Sequence, residues 1–353
     1  MEIWAMKYVP PTGMVDLATS LERQGWHGLL VPDSECLSED VFTGLTIAAL
    51  STTRLKLGTG VTNPYTRHPA VTAGAIASLD KLSGGRAVLG VGRGDSSLAH
   101  LGLAPAAPDV FERFLRRVKA YLAGEAVPFD VEDLRGRQPV STLGLAGRPT
   151  ESRLHWLEKT DRRVPLEVAA TGPRVIRIGA RIADRLLFGL GADHDRLAWG
   201  IDLARKAREE DGLDSCGLSL AAFVNVVPHP NRAVARRLAS GGVTAFSRFS
   251  VMHGKPVGPV DFTTAQTLGK IAEVYRMNDH GRHDAPHATV LPSEHIDRFG
   301  IVGTPNSCIQ RLRDLEGLGI DRAIILTPFG SDDDPDLVRS HKYMADEVLP
   351  AFA

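Results

Sequence analysis

Cysteine is scarce in this chain: Cys36, Cys216 and Cys308 are the only three in 353 residues, odd in number and far apart. No CxxC pair exists. That removes a zinc knuckle and a disulfide framework, and leaves reduced, mostly buried thiols as the expectation. An excess of one charge is missing too. With 41 basic and 42 acidic residues the formal net charge is −1, so there is no general field to hold a nucleic-acid backbone or an anionic membrane. No uninterrupted apolar run approaches the ~18 residues of a membrane span. Met1-Glu2-Ile3-Trp4 lacks the basic and apolar regions of a secretory leader. GxSxG, HExxH and P-loop motifs are absent, so hydrolase and phosphoryl-transfer readings find no support, and no metal site is expected. These absences describe a soluble, cytoplasmic protein with neither nucleic acid nor membrane as partner.

What is present is alternation. Short apolar stretches at 2–8, 28–32, 55–61, 87–91, 164–170, 185–189, 218–227 and 323–326 read as strands. Between them lie longer segments with helical periodicity, among them 14–24, 40–52, 69–82, 110–123, 195–210 and 304–318. Eight strands separated by helices predict an α/β protein, a single (β/α)8 TIM barrel over residues 1–353. Two irregular stretches, about 125–163 and 250–302, read as insertions. The first is expected over the barrel mouth, and the second carries a helix near 264–277.

In such a barrel the site lies at the C-terminal ends of the strands, and four of those ends are rich in small residues. They are Gly58-Thr59-Gly60-Val61-Thr62-Asn63-Pro64, Gly90-Val91-Gly92-Arg93-Gly94-Asp95-Ser96, Ala170-Thr171-Gly172-Pro173-Arg174 and Gly189-Leu190-Gly191. Glycine lets a planar ring or a phosphate approach the backbone, although tight turning explains any one of these runs alone. Thr171-Gly172-Pro173-Arg174 follows a strand and opens a helix, where free N–H groups and a guanidinium suit an anion. A plain βα turn accounts for the same four residues slightly better. Gly90-Val91-Gly92-Arg93-Gly94 lacks the full GxGxxG spacing of a dinucleotide fingerprint. His68, before Pro69, reads as a capping or packing histidine. His253 lies in a segment able to cover the site, with a solvated loop histidine as the default.

The run from Gly60-Val61-Thr62-Asn63-Pro64-Tyr65-Thr66-Arg67-His68-Pro69 to Leu82-Ser83-Gly84-Gly85-Arg86-Ala87 resembles the luciferase-like monooxygenase superfamily. The likeness continues in Ala169-Ala170-Thr171-Gly172-Pro173-Arg174, Ala180-Arg181-Ile182-Ala183-Asp184 and Val302-Gly303-Thr304-Pro305, and is nearest to the branch typified by methylenetetrahydromethanopterin reductase. The resemblance implies several placements. Asp33 and Asn63 would lie near a cofactor ring, and Gly60-Val61 would form a non-prolyl cis peptide behind it. Gly92, Arg93, Gly94 and Asp95 would border the cofactor's side chain. Thr171, Gly172, Pro173 and Arg174, with Gly189 and Gly191, would form the phosphate end. Asp33, Asn63 and His253 are the catalytic candidates. Arg93, Arg174 and Arg181 are candidates for a positive groove along a cofactor tail.

The resemblance implies coenzyme F420, a deazaflavin, passing a hydride to or from a small-molecule substrate. FMN is the alternative, in a two-component monooxygenase fed by a flavin reductase. A non-catalytic flavin-binding barrel is the third reading. A homodimer is expected, as in many relatives.

Overall fold

The computed structural model describes residues 1–353 except 9, 11, 135, 159–162, 253, 280–284 and 329–333. Among the described residues nine strands form: β1 (Glu2–Met6), β2 (Gly28–Val31), β3 (Lys56–Thr59), β4 (Ala87–Val91), β5 (Leu166–Ala170), β6 (Arg185–Phe188), β7 (Ser219–Pro228), β8 (Ile301–Gly303) and β9 (Arg322–Leu326). Eight of them close a parallel barrel in chain order. β6 pairs with β7, β7 with β9, and β9 with β1. The ninth, β8, pairs only with the far end of β7, at Val226–Pro228.

Strands in such a barrel are covered on both faces and therefore lack a polar side. Alternate residues go to separate cores. Trp4, Leu30, Val88, Leu187, Ala221, Phe223 and Ile324 fill the barrel interior. Ile3, Ala5, Leu29, Val31, Leu57 and Leu89 belong to the layer between strands and helices. The helix Pro108–Leu122 buries Phe111, Phe114, Leu115, Val118 and Leu122 at helical spacing. Pro69–Leu82 begins with proline in its first turn, and the His68 side chain caps it by accepting from the Ala70 N–H at 3.1 Å. His68 is thus a capping residue, as its place before Pro69 suggests.

At the N-terminal floor of the barrel a buried ion pair joins Glu167 of β5 to Arg322 of β9, and the Arg322 guanidinium lies 5.5 Å from the centre of the Trp4 ring. Glu167 is fully buried and Arg322 nearly so.

The two insertions differ in place. The described residues of 125–163 contact the outside of the helices Pro69–Leu82 and Pro108–Leu122. Asp133 meets His68 at 2.8 Å and Arg117 at 2.6 Å, while Trp156 covers Lys81. This segment reaches the rim at His68, but none of its described residues lines the mouth cavity. Of the described residues of 250–302, Met252 and Val257 do line that cavity. This second segment is also more regular than the sequence suggests, with helices Phe262–Val274 and Ser293–Phe299 leading into β8.

The thiol expectation needs correcting. Cys308 is buried, but Cys36 and Cys216 are exposed, because both lie in surface turns rather than on an apolar stripe. Among the described residues no helix is long and apolar enough to cross a membrane, and no cluster of three metal-ligating side chains occurs.

Candidate functional site

A cavity of about 250 Å³ opens at the C-terminal ends of the strands. Of the expected residues, Asp33, Gly60, Val61, Gly92, Arg93, Gly94, Asp95, Thr171, Gly172 and Gly189 line it. They come from the ends of five strands that follow one another around the barrel, β2 to β6. The Gly60–Val61 peptide is cis, as the resemblance implies. Gly92 has no room for a side chain: a Cβ there would stand 2.7 Å from Val61 Cγ2. Gly94 takes φ +85, which side-chain-bearing residues rarely adopt. The two glycines bring bare backbone to the cavity wall beside Val61.

Asp33 is buried at the end of β2. Thr62 Oγ1 donates to it at 2.6 Å and Arg67 pairs with it, while Arg67 Nη2 also reaches Asp40 at 3.0 Å. Burial pushes the Asp33 carboxyl above its ordinary value, against the pull of Thr62 and Arg67. Asp95 is engaged through both oxygens by Arg248, which follows the helix Arg232–Ser247. Burial alone would lower the Arg248 guanidinium; its bonds to Asp95 carry it above its usual value. Arg248 also lies over the rings of Phe249 and Tyr275, at 4.9 and 4.7 Å. Burial pushes the Tyr275 hydroxyl up to about 12, with the Asp95 charge acting in the same direction. The Tyr8 hydroxyl rises for the same two reasons, and Tyr8 lines the cavity.

On the β5 side, the helix Pro173–Ile182 starts at the cavity rim with no side chain capping it. Its first N–H groups are therefore available to an anion. Two guanidinium groups flank this end. Burial, and then the neighbouring charge of Arg174, lower the Arg93 guanidinium from its ordinary value. Arg93 is held in place by its Nε, which donates to the Ala106 carbonyl at 2.5 Å.

The remaining expected residues lie elsewhere. Pro173 and Arg174 are exposed at the helix start, outside the lining. Asn63 is buried behind the cavity wall, where its Oδ1 accepts from the Tyr65 and Thr66 N–H groups at 3.0 and 3.1 Å and shapes the turn. Its Nδ2 has no partner. Gly191 lies outside the lining; it turns the chain at φ +70 against the Phe299 ring. His253 lies outside the described residues. Arg181 is corrected outright. It sits in the last turn of its helix, away from the cavity, bonded to Glu210 at 2.8 Å and Asp211 at 3.2 Å.

Sequence reasoning missed Tyr8, Arg248, Tyr275 and the partner role of Arg67. Only Arg67 carried a signal, standing inside the resembling block. Arg248 is 153 positions from Asp95, beyond the reach of any local pattern.

A parallel barrel with a glycine-walled cavity at its strand ends, a cis peptide in the wall and an uncapped helix flanked by arginines defines a cofactor-binding α/β-barrel. The chain belongs to the luciferase-like monooxygenase family, whose model matches residues 3–322. It is similar to the 5,10-methylenetetrahydromethanopterin reductase of Methanolobus tindarius, 26% identical over 356 residues, covering 98% of this chain and 99% of the relative. It is 39% identical over 263 residues to the F420-dependent glucose-6-phosphate dehydrogenase of Beutenbergia cavernae, covering 71% of this chain and 70% of that one. The solved structure of the F420-dependent tetrahydromethanopterin reductase from Methanopyrus kandleri superposes with a TM-score of 0.73 at 20% identity, covering 100% and 99% of the two chains.

Proposed function

We propose that the protein is an F420-dependent oxidoreductase acting on a small organic molecule. The observation that carries this reading is the uncapped helix at Gly172–Pro173 opening on a glycine-walled cavity beside Arg93 and Arg174. The F420 dependence of the relatives supports it. The residues fit such a group: Gly92 and Gly94 leave backbone bare for a ring and its chain, and the helix N–H groups with the two arginines suit a phosphate. F420, when bound, supplies hydride transfer at its ring. With it bound, Gly60–Val61 would back the ring and the helix N–H groups with Arg93 and Arg174 would neutralise the phosphate, while Arg67 and Arg248 keep Asp33 and Asp95 in fixed ion pairs. We assign Asp33 a positioning role at the ring edge. We place the protein in a reducing cytoplasm, where its free thiols persist, as a single domain with two insertions.

Fluorescence titration with F420 and with FMN tests the cofactor. F420 is expected to bind more tightly. FMN binding at least about tenfold tighter, ~1.4 kcal/mol, would replace this reading with an FMN-dependent monooxygenase that needs a flavin reductase.

Arg174→Ala is expected to weaken F420 binding by about 1.5–3 kcal/mol, the loss of a charge-assisted bond. Its thermal midpoint should stay unchanged because the side chain is exposed. An unchanged dissociation constant removes Arg174 from the site.

We also propose a homodimer, formed through the neighbouring helices Val41–Ser51 and Pro69–Leu82. Leu50 is 69% exposed and Val71 56%, with Ile47 and Leu82 also at the surface. Light scattering is expected to give twice the 38.0 kDa chain mass, and Leu50→Asp to shift it to the monomer. A monomeric parent protein at micromolar concentration rejects the proposal.

A further inference from the structure

The two sides of the cavity are chemically unlike. β3, which leads into Gly60–Val61, stands opposite β7 in the eight-stranded ring. On the β7 side the wall is Phe223, Phe246, Phe249, Met252 and Val257. The three rings form one cluster: Phe246 lies 5.0 Å from Phe223, tilted, and 5.3 Å from Phe249, edge-on. Among the described residues this side presents aromatic faces, a flexible thioether and a branched aliphatic group, and no charged side chain.

The charges that border this space are already satisfied. Three charged residues line the cavity among those described: Asp33, Arg93 and Asp95. Asp33 is held by Arg67 and Thr62. Asp95 is held through both oxygens by Arg248. The cation not matched by a carboxylate is Arg93, and it stands on the helix-end side, next to Arg174. An anionic substrate beneath the β7 wall would lose water without gaining a counter-ion, which is costly. An apolar ring there gains burial, about 25 cal/mol per Å², together with edge and face contacts to the phenylalanines.

We infer that the substrate is a neutral, mainly apolar ring compound, seated under Phe223, Phe246 and Phe249. A phosphorylated sugar does not match this wall. The inference rests on the cofactor assignment above only in leaving the helix-end side to the cofactor's phosphate. It separates this chain in substrate class from the relative that acts on glucose 6-phosphate.

The test is calorimetric titration of the protein loaded with oxidised F420, using acetophenone as a neutral ring probe that oxidised cofactor cannot turn over, and glucose 6-phosphate as the anionic one. Acetophenone is expected to bind at least about tenfold more tightly than glucose 6-phosphate. Phe246→Ala is expected to weaken acetophenone by about tenfold. Phe246→Leu, which keeps the apolarity and most of the volume but not the ring, is expected to fall between the parent and Phe246→Ala and guards against a folding defect. The F420 dissociation constant, read separately by fluorescence, should stay close to the parent value in both variants. Glucose 6-phosphate binding as tightly as acetophenone, or acetophenone affinity untouched in a folded Phe246→Ala protein, overturns the inference. Should F420 itself fail to bind, the cofactor assignment falls alone, since the same two probes titrated into FMN-loaded protein still report on the wall.

Discussion

Glu167→Ala is expected to destabilise the protein by about 3–5 kcal/mol, the range for removing one partner of a buried ion pair. The physical cause is the arrangement at the barrel floor. Glu167 pairs with Arg322, and the Arg185 guanidinium is also within its field. Burial, and then repulsion from Arg322, already lower Arg185, with Glu167 and Glu2 opposing. Without Glu167, the buried Arg322 faces the half-buried Arg185. Glu167 Oε2, Arg322 Nε and Nη1, and Arg185 Nη1 have no hydrogen-bond partner even in the intact protein, and the other carboxylates that act on Arg185, Glu2 and Asp184, act on it less than Glu167 does. The double variant Glu167→Leu with Arg322→Met is expected to recover at least half of the loss, because an apolar pair of similar volume replaces a desolvated one. Urea unfolding midpoints check both. A loss below about 1 kcal/mol in the single variant would mean that the floor charges are hydrated rather than dependent on each other.

The second large effect is a fall in stability on mild acidification, traced to His295. This residue, on the helix Ser293–Phe299, is buried, accepts or donates one bond with Ser247 Oγ at 2.9 Å and stacks on Phe299 at 5.6 Å. Burial lowers its imidazole from 6.5 to about 4, and Arg196 and Arg298 push the same way against Asp261. The folded value lies below the unfolded one, so the unfolded chain binds the extra proton. Stability from the neutral ring is complete above pH 6.5 and is lost as pH falls towards 4. The full span is about 3 kcal/mol, of which about 2 kcal/mol is lost by pH 5. His287 is lowered by burial as well and adds in the same direction. His295→Phe removes the titrating group, and its unfolding free energy should be flatter between pH 7 and 5. An equal slope in parent and variant would show that His295 reaches water when folded.

The barrel was legible because its signal is repeated. Strands such as Gly28–Val31 and Ala87–Val91 are apolar throughout, and the helices between the strands carry their stripe over ten or more residues. Short elements carry no such signal, which is why β8, with three residues, and the helix Ser96–His100 were not anticipated. At the cavity, the glycine runs at four strand ends pointed to the wall. The pairings that set its charge, Asp33 with Arg67 and Asp95 with Arg248, join residues 34 and 153 positions apart, brought together by the pairing of β2 with β3 and by the turn that follows the helix Arg232–Ser247. Arg181 illustrates the opposite error. Its register within the resembling block drew attention to it, but it lies nearly two turns beyond Arg174 on the helix Pro173–Ile182, at the end remote from the site.

Closure of the ring through β9 has a consequence for biosynthesis. β1 emerges from the ribosome first, and β2 can cover one of its edges within a few tens of residues. Its other edge pairs with Arg322–Leu326, which is made about 320 residues later. At ribosomal speeds of ~5–20 residues per second, that edge waits for roughly 15–60 s. Throughout that interval the nascent chain displays an open strand bearing Ile3, Trp4 and Ala5, a template for pairing with another copy on the same polysome. Chaperone dependence of this protein should therefore be concentrated before the last strand is released, and a slowly translated C-terminal third should lower its yield more than a slowly translated N-terminal third.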